Sequence, residues 1–592
     1  MFMLGKGTKE KIKTGLDIYL AIIGLLTLVL FLIILGYELN APQIKIIRIT
    51  ITIITISFVF QEFSRCFFQK DILKYLKLRW FENLLALILG IELFFPGAII
   101  NFINQANPKL SEMQATLIYI GLLHLIIIIA LIVKILRFSY LLDKLKLHPG
   151  AIFALSFAFI IIFGTILLLL PNATPEGTKL SLIDSLFTST SAVCVTGLIV
   201  VDTAKDFTFL GQLLILFLLQ IGGLGVMTLT TFFAMYLSGG VSFKMRIMMR
   251  DLLSQESLVE VRKLILKILF FTVTIELVGA IILYHSLGGS FTEIRWDFMF
   301  SSIFHSVSAF CNAGFSIYST GLMDSAVSMN YSYYSTIMLL IVLGGLGFTV
   351  LSNLTIIRPR KNNLKKLKHR ISVSTKIVLS TTSILIISGT LIILIAEPFT
   401  FDSSMNVFEK IFHSLFLSIT ARTAGFNTVP TELLTNVAVV IILPLMWIGA
   451  SPGSTGGGIK TTTISLAVLS LLNLMRGKDR VELFNREIEP GNIRKAFMVI
   501  LSSLIFLGIG SFLLIWIEPD KQPLDLIFEA TSALGTVGLS RNITGFLGTG
   551  GKAIVIILMY VGRIGVLTFF LAFIRTATQQ RYTLAKTDIM IG

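Results

Sequence analysis

The sequence predicts an all-α integral membrane protein, with four membrane-pore-membrane repeats around one central pore and four additional N-terminal transmembrane helices. Three observations lead there. Of the 592 residues, 55% are hydrophobic and only 14% are charged, whereas soluble domains carry roughly a quarter charged residues. Apolar stretches of about 20 residues, the length a helix needs to cross a hydrocarbon core of roughly 30 Å, recur along the whole chain, twelve in all. A short segment ending in glycine also returns four times at nearly equal spacing, the mark of an internal repeat.

The first apolar stretch, Ile18 to Leu35, follows the basic segment MFMLGKGTKEKIK, which has the charge of a signal-peptide n-region. The length of the run, the lack of a clear A-x-A site and the prompt start of the next apolar segment favour a retained span. Three more spans follow at Ile46 to Phe67, Phe81 to Phe102 and Thr116 to Leu136, so residues 1–145 form a four-helix N-terminal domain. Glu62, Arg65 and the segment RWFENLLALILG faintly resemble the sensor domain of voltage-gated channels. The fourth span carries His124, Lys134 and Arg137 instead of an arginine at every third position, too little charge to sense voltage. An accessory packing domain is the expected reading.

Residues 146–592 hold the repeats. Between Phe153 and Ile574 the unit is a hydrophobic span, a short amphipathic segment, a second span and a basic loop. The amphipathic segments read SLFTSTSAVCVTGL, SIFHSVSAFCNAGF, SLFLSITARTAGF and LIFEATSALGTVGL, within 181–198, 298–315, 409–426 and 522–539. Their glycines, Gly197, Gly314, Gly425 and Gly538, lie 117, 111 and 113 residues apart. Ungapped alignment on them matches Phe187, Phe304, Leu415 and Phe528, then Ala192, Ala309, Thr420 and Ala533, then Leu198, Phe315, Phe426 and Leu539.

Segments this short cannot span, so each enters the membrane as a helix and returns as a loop. Non-helical backbone at that depth persists only when buried in protein or lining a water-filled cavity. A ring of backbone carbonyls can replace a cation's water shell without fixed charge. Glycine permits the backbone conformations such a ring needs, and a helix C-terminus aimed at the axis favours a cation over an anion. Single glycines more often serve helix packing; four in register point to a pore. The stretches QIGGLG (Gln220 to Gly225) and VLGGLG (Val342 to Gly347) sit inside spans, where packing is the better reading.

The net charge of +16 lies in loops between spans. Arg358 to Lys376 has eight Lys and Arg and no acidic residue, and 65–79, 244–267 and 476–495 also carry a net positive charge. Such loops stay in the cytoplasm. Even numbers of spans separate them, so both termini are expected there, and nucleic acid is not an expected partner. Beside anionic lipid the loops also act as topology determinants. Cys66, Cys194 and Cys311 are odd in number and fit neither a disulfide framework nor a zinc site. His305 and His413 fall on the second and third pore segments, where packing is expected rather than metal binding.

Two features interrupt the spans. Asn436 to Leu471 contains GASPGSTGGGIKTTT, in which Pro452, Gly449, Gly453, Gly456, Gly457 and Gly458 make a continuous helix improbable; an unwound segment there should line the pathway. Gly453 and Gly458 have P-loop spacing, but Ile459 intervenes before Lys460 and Thr461, and no strand precedes them. Arg563 lies in the middle of the last span, where an arginine costs roughly 2.5–3.5 kcal/mol on insertion scales and needs a partner. The carbonyl-rich loop is the expected one. No nucleophile elbow, HExxH or cluster of catalytic carboxylates appears, so an enzyme is not expected.

The segments SAVCVTGLIVVDT, QIGGLGVMT, FHSVSAFCNAGFS, ARTAGFNT, GASPGSTGGGIKTTT, SALGTVGLS and YVGRIGVLT together resemble the membrane subunit of bacterial Trk/Ktr potassium-uptake systems, closest to the Ktr-type branch, from about Leu147 to the C-terminus. The resemblance implies a potassium filter at Val195, Thr196, Gly197, Asn312, Ala313, Gly314, Thr423, Ala424, Gly425, Thr536, Val537 and Gly538. It also implies a gate at Gly453, Gly456, Gly457, Gly458, Lys460 and Arg563. Only the glycine is common to all four filter segments, which keeps a sodium-coupled symporter or a less selective monovalent cation transporter as the alternative. Val566 stands where the family often has proline. The resemblance further implies a bacterial cell-membrane protein that forms a homodimer and docks a soluble nucleotide-binding regulatory ring. Potassium is then its substrate, sodium a candidate coupling ion, and no cofactor or other metal is expected in this chain.

Overall fold

The computed structural model describes residues 6–67, 80–94, 116, 119, 121–123, 126, 149–225, 258–290, 295–355, 371–397, 405–478 and 480–573. Among the described residues the first helices are α1 (Lys6–Gly36), α2 (Ala41–Phe67) and α3 (Trp80–Phe94). Ile51, Phe58, Leu89 and Leu123 are buried in a small core of their own. The end of α1 meets the turn at residues 169–173 through Gly36, where a Cβ would lie 2.6 Å from Leu170, and through Asn172 Nδ2, which donates to Leu35 O at 3.3 Å. His124, Lys134 and Arg137 of the expected fourth span lie outside the described residues, as do residues 356–370 of the most basic loop.

From Pro149 onward one unit is built four times. The first has α4 (Pro149–Leu168), α5 (Leu182–Cys194) and α6 (Phe209–Leu224); the second has α7 (Leu258–Ser286), α8 (Trp296–Phe310), α9 (Tyr331–Leu346) and α10 (Phe348–Thr355). The third has α11 (Val373–Ala396), α12 (Val407–Thr420), α13 (Asn436–Trp447) and α14 (Thr461–Met475). A two-stranded antiparallel hairpin, β1 (Glu482–Leu483) and β2 (Arg486–Glu487), leads to the fourth: α15 (Pro490–Ile517), α16 (Pro523–Gly535), α17 (Thr549–Ile564) and α18 (Val566–Phe573). The molecule is an all-α membrane protein.

The short helices α5, α8, α12 and α16 start the same way. Each has an acid in its first turn, Asp184, Asp297, Glu409 or Asp525, and none has a basic residue in its last. Ser181 accepts from Asp184 N, Asn406 and Glu409 form a capping box, and Pro523 opens α16. These choices suit the positive N-terminal end of the helix dipole.

A small-residue contact holds each short helix against its outer helix. A Cβ added at Gly164, Gly279, Gly389 or Gly510 would press on Leu218, Leu340, Leu445 or Leu558 of the unit's inner helix. In the first three units it would also strike Ser189, Ser306 or Ser418 of the short helix. Those serines donate to Ile161 O, Glu276 O and Ile386 O at 2.7, 2.7 and 3.0 Å, always the carbonyl three residues before the glycine. Close backbone approach and hydroxyl-to-backbone bonds are how helices associate where lipid removes the hydrophobic driving force.

The inner helices do not run through. Among the described residues five helices are long and apolar enough to cross a membrane, or six if the bent pair α9 and α10 is one span. The inner helices fall short because they break. α6, α9 and α17 end at Gly225, Gly347 and Gly565, with φ of 80°, 91° and 89°, and α10 turns 96° from α9. This corrects the packing reading of QIGGLG and VLGGLG in part. Gly222 and Gly344 do pack, each against a backbone carbonyl (Val193 O and Phe310 O), but the last glycine of each motif ends the helix. In the third unit the break is the whole segment between α13 and α14. The first and last units meet through Lys552 Nζ and Asp184 at 2.6 Å and through Tyr560 OH, which donates to Ala154 O at 2.8 Å.

Gly279→Val places a branched side chain against Ser306 and Leu340 and is expected to cost about 1–3 kcal/mol by overpacking. Thermal unfolding of the detergent-solubilised protein measures it; a midpoint equal to wild type would contradict the packing described.

Candidate functional site

The four glycine-ended segments converge. After each short helix the backbone takes a left-handed turn two residues before the glycine, at Val195 (φ 57°), Asn312 (60°), Thr423 (75°) and Thr536 (51°). It is left-handed again at Gly197, Gly314, Gly425 and Gly538 (φ 92°, 69°, 75° and 95°). In an extended chain successive carbonyls face opposite ways; left-handed residues at alternate positions bring them to one side. Three of the four non-glycine positions hold β-branched residues, for which positive φ is strained by about 1–3 kcal/mol each, so their surroundings must enforce it.

Hydrogen bonds to the helix ends do so. Thr196 N and Val537 N donate to Ser191 O and Ser532 O, both at 2.8 Å, and Gly197 N and Gly538 N donate to the same serines' hydroxyls, both at 3.1 Å. In the second unit Ala313 N donates to Ser308 O at 2.7 Å and Ser308 Oγ to Phe315 O at 2.7 Å. The third unit shifts by one residue: Ala424 N donates to Thr420 O at 3.0 Å and Thr420 Oγ1 to Phe426 O at 2.7 Å.

The loops touch in cyclic order. A Cβ at Gly314 would lie 2.7 Å from Ala424 O, and one at Gly425 would lie 2.6 Å from Val537 O. One at Gly197 would strike Ala313 O, and one at Gly538 would strike Thr196 O. Each glycine thus abuts the carbonyl of the residue preceding the next glycine, and the fourth contact returns to the first unit. The ring is closed. Val195, Thr196, Asn312, Ala313, Thr423, Ala424, Thr536 and Val537 are all fully buried around it.

On one side the ring opens into a cavity of about 320 Å³ that all four glycines line. Asp202 and Glu432 are on its wall, and among the described residues no lysine or arginine is. On the other side lie the side chains of Asn312, Thr423 and Thr536. With the Asn312 amide nitrogen donating to Ala309 O and Ile341 O (3.0 and 3.2 Å), its oxygen is left toward Thr423. Thr536 Oγ1 is buried without a hydrogen-bond partner among the described residues.

The segment between α13 and α14 closes that side. A Cβ at Gly456 would strike Thr423 Oγ1, and one at Gly457 would strike Thr536 Oγ1. The segment folds on itself, Gly449 N to Ile459 O at 2.9 Å and Ala450 N to Gly457 O at 3.2 Å, and is tied to α9 by Ser451 N to Gly345 O at 3.0 Å and Thr455 N to Gly344 O at 3.3 Å. Phe348 N donates to Gly453 O at 2.9 Å. Lys460 Nζ donates back to Gly456 O at 2.8 Å. Arg563 donates through Nη1 to Thr455 O, the loop carbonyl expected from the sequence, and through Nη2 to Gly222 O of α6. The second partner was not legible, because nothing in a sequence says that the first and fourth inner helices adjoin. A Cβ at Gly458 would lie nearest to backbone atoms, those of Gly449 at 2.9 Å and Gly535 O at 3.2 Å. Cys194 and Cys311, next to the first and second loops, are buried free thiols.

A family model described as TrkH, cation transport protein, matches residues 113–584, starting earlier than the resemblance read from motifs alone. The Ktr system potassium uptake protein B of Bacillus subtilis is 38% identical over 435 residues, 73% of this chain and 94% of that one. The potassium/sodium uptake protein NtpJ of Enterococcus hirae is 35% identical over 454 residues, 76% of this chain and 98% of that one. The crystal structure of the potassium transporter TrkH from Vibrio parahaemolyticus has the same fold, with a TM-score of 0.57 at 16% identity, covering 90% of this chain and 98% of that one.

Arg563→Met removes both charge-assisted bonds to Thr455 O and Gly222 O. In an otherwise cysteine-free chain, Ser454→Cys is expected to react with a water-soluble thiol reagent roughly tenfold faster in the Arg563→Met background, as the loss of at least one such bond implies. Equal rates would contradict the anchoring role of Arg563.

Proposed function

The chain belongs to the TrkH family of cation transport proteins, and from that membership we propose that it takes potassium into a bacterial cell through the ring formed by the Gly197, Gly314, Gly425 and Gly538 loops. The observation that carries the reading is the closed cyclic contact of glycine against carbonyl. A ring of backbone dipoles with no room for side chains offers a dehydrated cation oxygen ligands in place of water. The four short helices end at this ring and add their negative C-terminal dipoles. Asp202 and Glu432 on the cavity wall raise the local cation concentration outside it.

The segment carrying Gly453, Gly456, Gly457, Gly458 and Lys460 acts as the gate. It presses on the Thr423 and Thr536 side chains beneath the ring, so an ion leaving the ring toward the cytoplasm must displace it. Lys460 and Arg563 neutralise its carbonyls and hold it in place. Release of the Arg563 bonds frees the loop from α6 and α17 together.

The name of the Bacillus subtilis relative supports potassium as substrate. That of NtpJ supports a second reading, in which sodium is carried or coupled, and the divergence of the loops around their glycines supports it too. A homodimer, a soluble nucleotide-binding ring on the cytoplasmic side and cytoplasmic termini complete the proposed arrangement, on the strength of the family resemblance and the basic loops.

Rubidium uptake in a potassium-uptake-deficient bacterium, with and without sodium, tests this. Wild type is expected to take up rubidium, and Gly314→Ser, which puts a side chain against Ala424 O at a positive φ, to lose about 5- to 150-fold, the factor that 1–3 kcal/mol of strain implies. Wild-type uptake no greater than that of cells lacking the protein would overturn the proposal, and dependence on sodium would decide for the second reading.

A further inference from the structure

The outer mouth of the ring carries a second pattern. Nine residues before each glycine the repeats have Thr188, His305, Phe416 and Glu529; two residues after it they have Ile199, Ser316, Asn427 and Ser540. In the second and fourth units the two positions are joined by hydrogen bonds.

His305 is fully buried on α8. Its Nδ1 lies 2.8 Å from Ser301 O and its Nε2 lies 2.9 Å from Ser316 Oγ. A carbonyl only accepts, so Nδ1 carries the proton and Nε2 accepts from the Ser316 hydroxyl. Ser316 Oγ in turn accepts from Tyr318 N at 3.0 Å. The Tyr318 ring stacks on the imidazole, with centroids 4.8 Å apart, and its hydroxyl meets Ser301 Oγ at 2.7 Å. These bonds leave Ser316 one orientation.

Glu529, fully buried on α16, accepts from Thr544 Oγ1 at 2.5 Å, and Thr544 Oγ1 lies 2.8 Å from Ser540 Oγ. Thr431 Oγ1 donates to Ser540 O at 2.5 Å. At these positions the first and third units lack such a bond: Thr188 Oγ1 has no hydrogen-bond partner among the described residues and Phe416 has no polar group to offer, while in the third unit His413 Nδ1 lies 2.9 Å from Thr428 Oγ1, one residue past Asn427. The cyclic order of the ring sets the second and fourth units across the axis from one another, and Ser316 and Ser540 both line the cavity.

We propose that His305 and Glu529 are positioning residues for ion selection, bracing Ser316 and Ser540 from behind on opposite sides of the axis so that the mouth of the ring cannot contract around an ion smaller than potassium. The proposal rests on the potassium-uptake reading. Its physical basis is that ligands free to move close around sodium as readily as they open for potassium, whereas ligands held by buried hydrogen bonds resist. Two braces across one diameter fix its width; the unbraced pair, Ile199 and Asn427, leaves the other diameter to the glycine contacts.

The test is the ratio of the sodium inhibition constant to the rubidium KM, measured for uptake by the full chain in a potassium-uptake-deficient bacterium. Ser316→Ala and Ser540→Ala are each expected to lower the ratio about three- to tenfold, the range of one hydrogen bond. Glu529→Leu should match Ser540→Ala, and the double variant should lose no more than either alone, since the two act as one unit. Glu529→Gln keeps an acceptor for Thr544 and should retain most of the wild-type ratio. A purely structural role would lower the maximal rate and leave the ratio alone. If Glu529→Leu fails to reach the membrane, the two serine variants and Glu529→Gln decide. An unchanged ratio in both serine variants, with uptake intact, overturns the brace and spares the transport reading; absence of uptake by wild type overturns both.

Discussion

Every feature of the core depends on one contact repeated four times, a glycine without a side chain against a backbone carbonyl of the next unit. Because the contacts are cyclic, none can be relaxed alone: a methyl group at Gly425 pushes Val537 O, which belongs to the loop whose own glycine rests on Thr196 O. Reaching that closeness takes left-handed turns at Val195, Thr423 and Thr536, against the preference of β-branched residues. It also explains the serines and threonine at the ends of the short helices, whose hydroxyls hold the strained loops.

Around this ring the outer helices are set by a second small-residue contact, glycine to leucine in all four units and to serine in three. The fourth unit has Ala530 where the others have the serine, so its outer helix packs without that hydroxyl bond. Beneath the ring the third inner helix gives up its continuity. Its unwound segment finds backbone partners in α9 and side-chain partners in Lys460 and Arg563, which is what unwound backbone within a membrane requires. Arg563 binds the loop and Gly222 O at once, so the first, third and fourth inner helices meet at one guanidinium.

Much of this was legible in the sequence because it is written in residue types that have few other uses at mid-membrane. Four glycines in register marked the loops, and Pro452 with its neighbouring glycines marked the broken helix. The helix ends at Gly225, Gly347 and Gly565 were harder to see. A glycine that packs and a glycine that ends a helix look alike until a positive φ is observed, and QIGGLG and VLGGLG contain both kinds. The left-handed turns before the loop glycines were not legible at all, since valine and threonine argue against them and the backbone bonds to the helix ends that hold them need no particular side chain. The pairing of His305 with Ser316 and of Glu529 with Ser540 likewise needed the return path of each loop.

The central claim is that four loops form one cation-coordinating ring. Anomalous scattering from crystals of the protein grown in rubidium or thallium measures this most directly. A peak on the axis between Gly197, Gly314, Gly425 and Gly538, within coordination distance of Thr196 O, Ala313 O, Ala424 O and Val537 O, is the expected result. Anomalous density confined to other sites, with the ring axis empty under saturating ion, would contradict it.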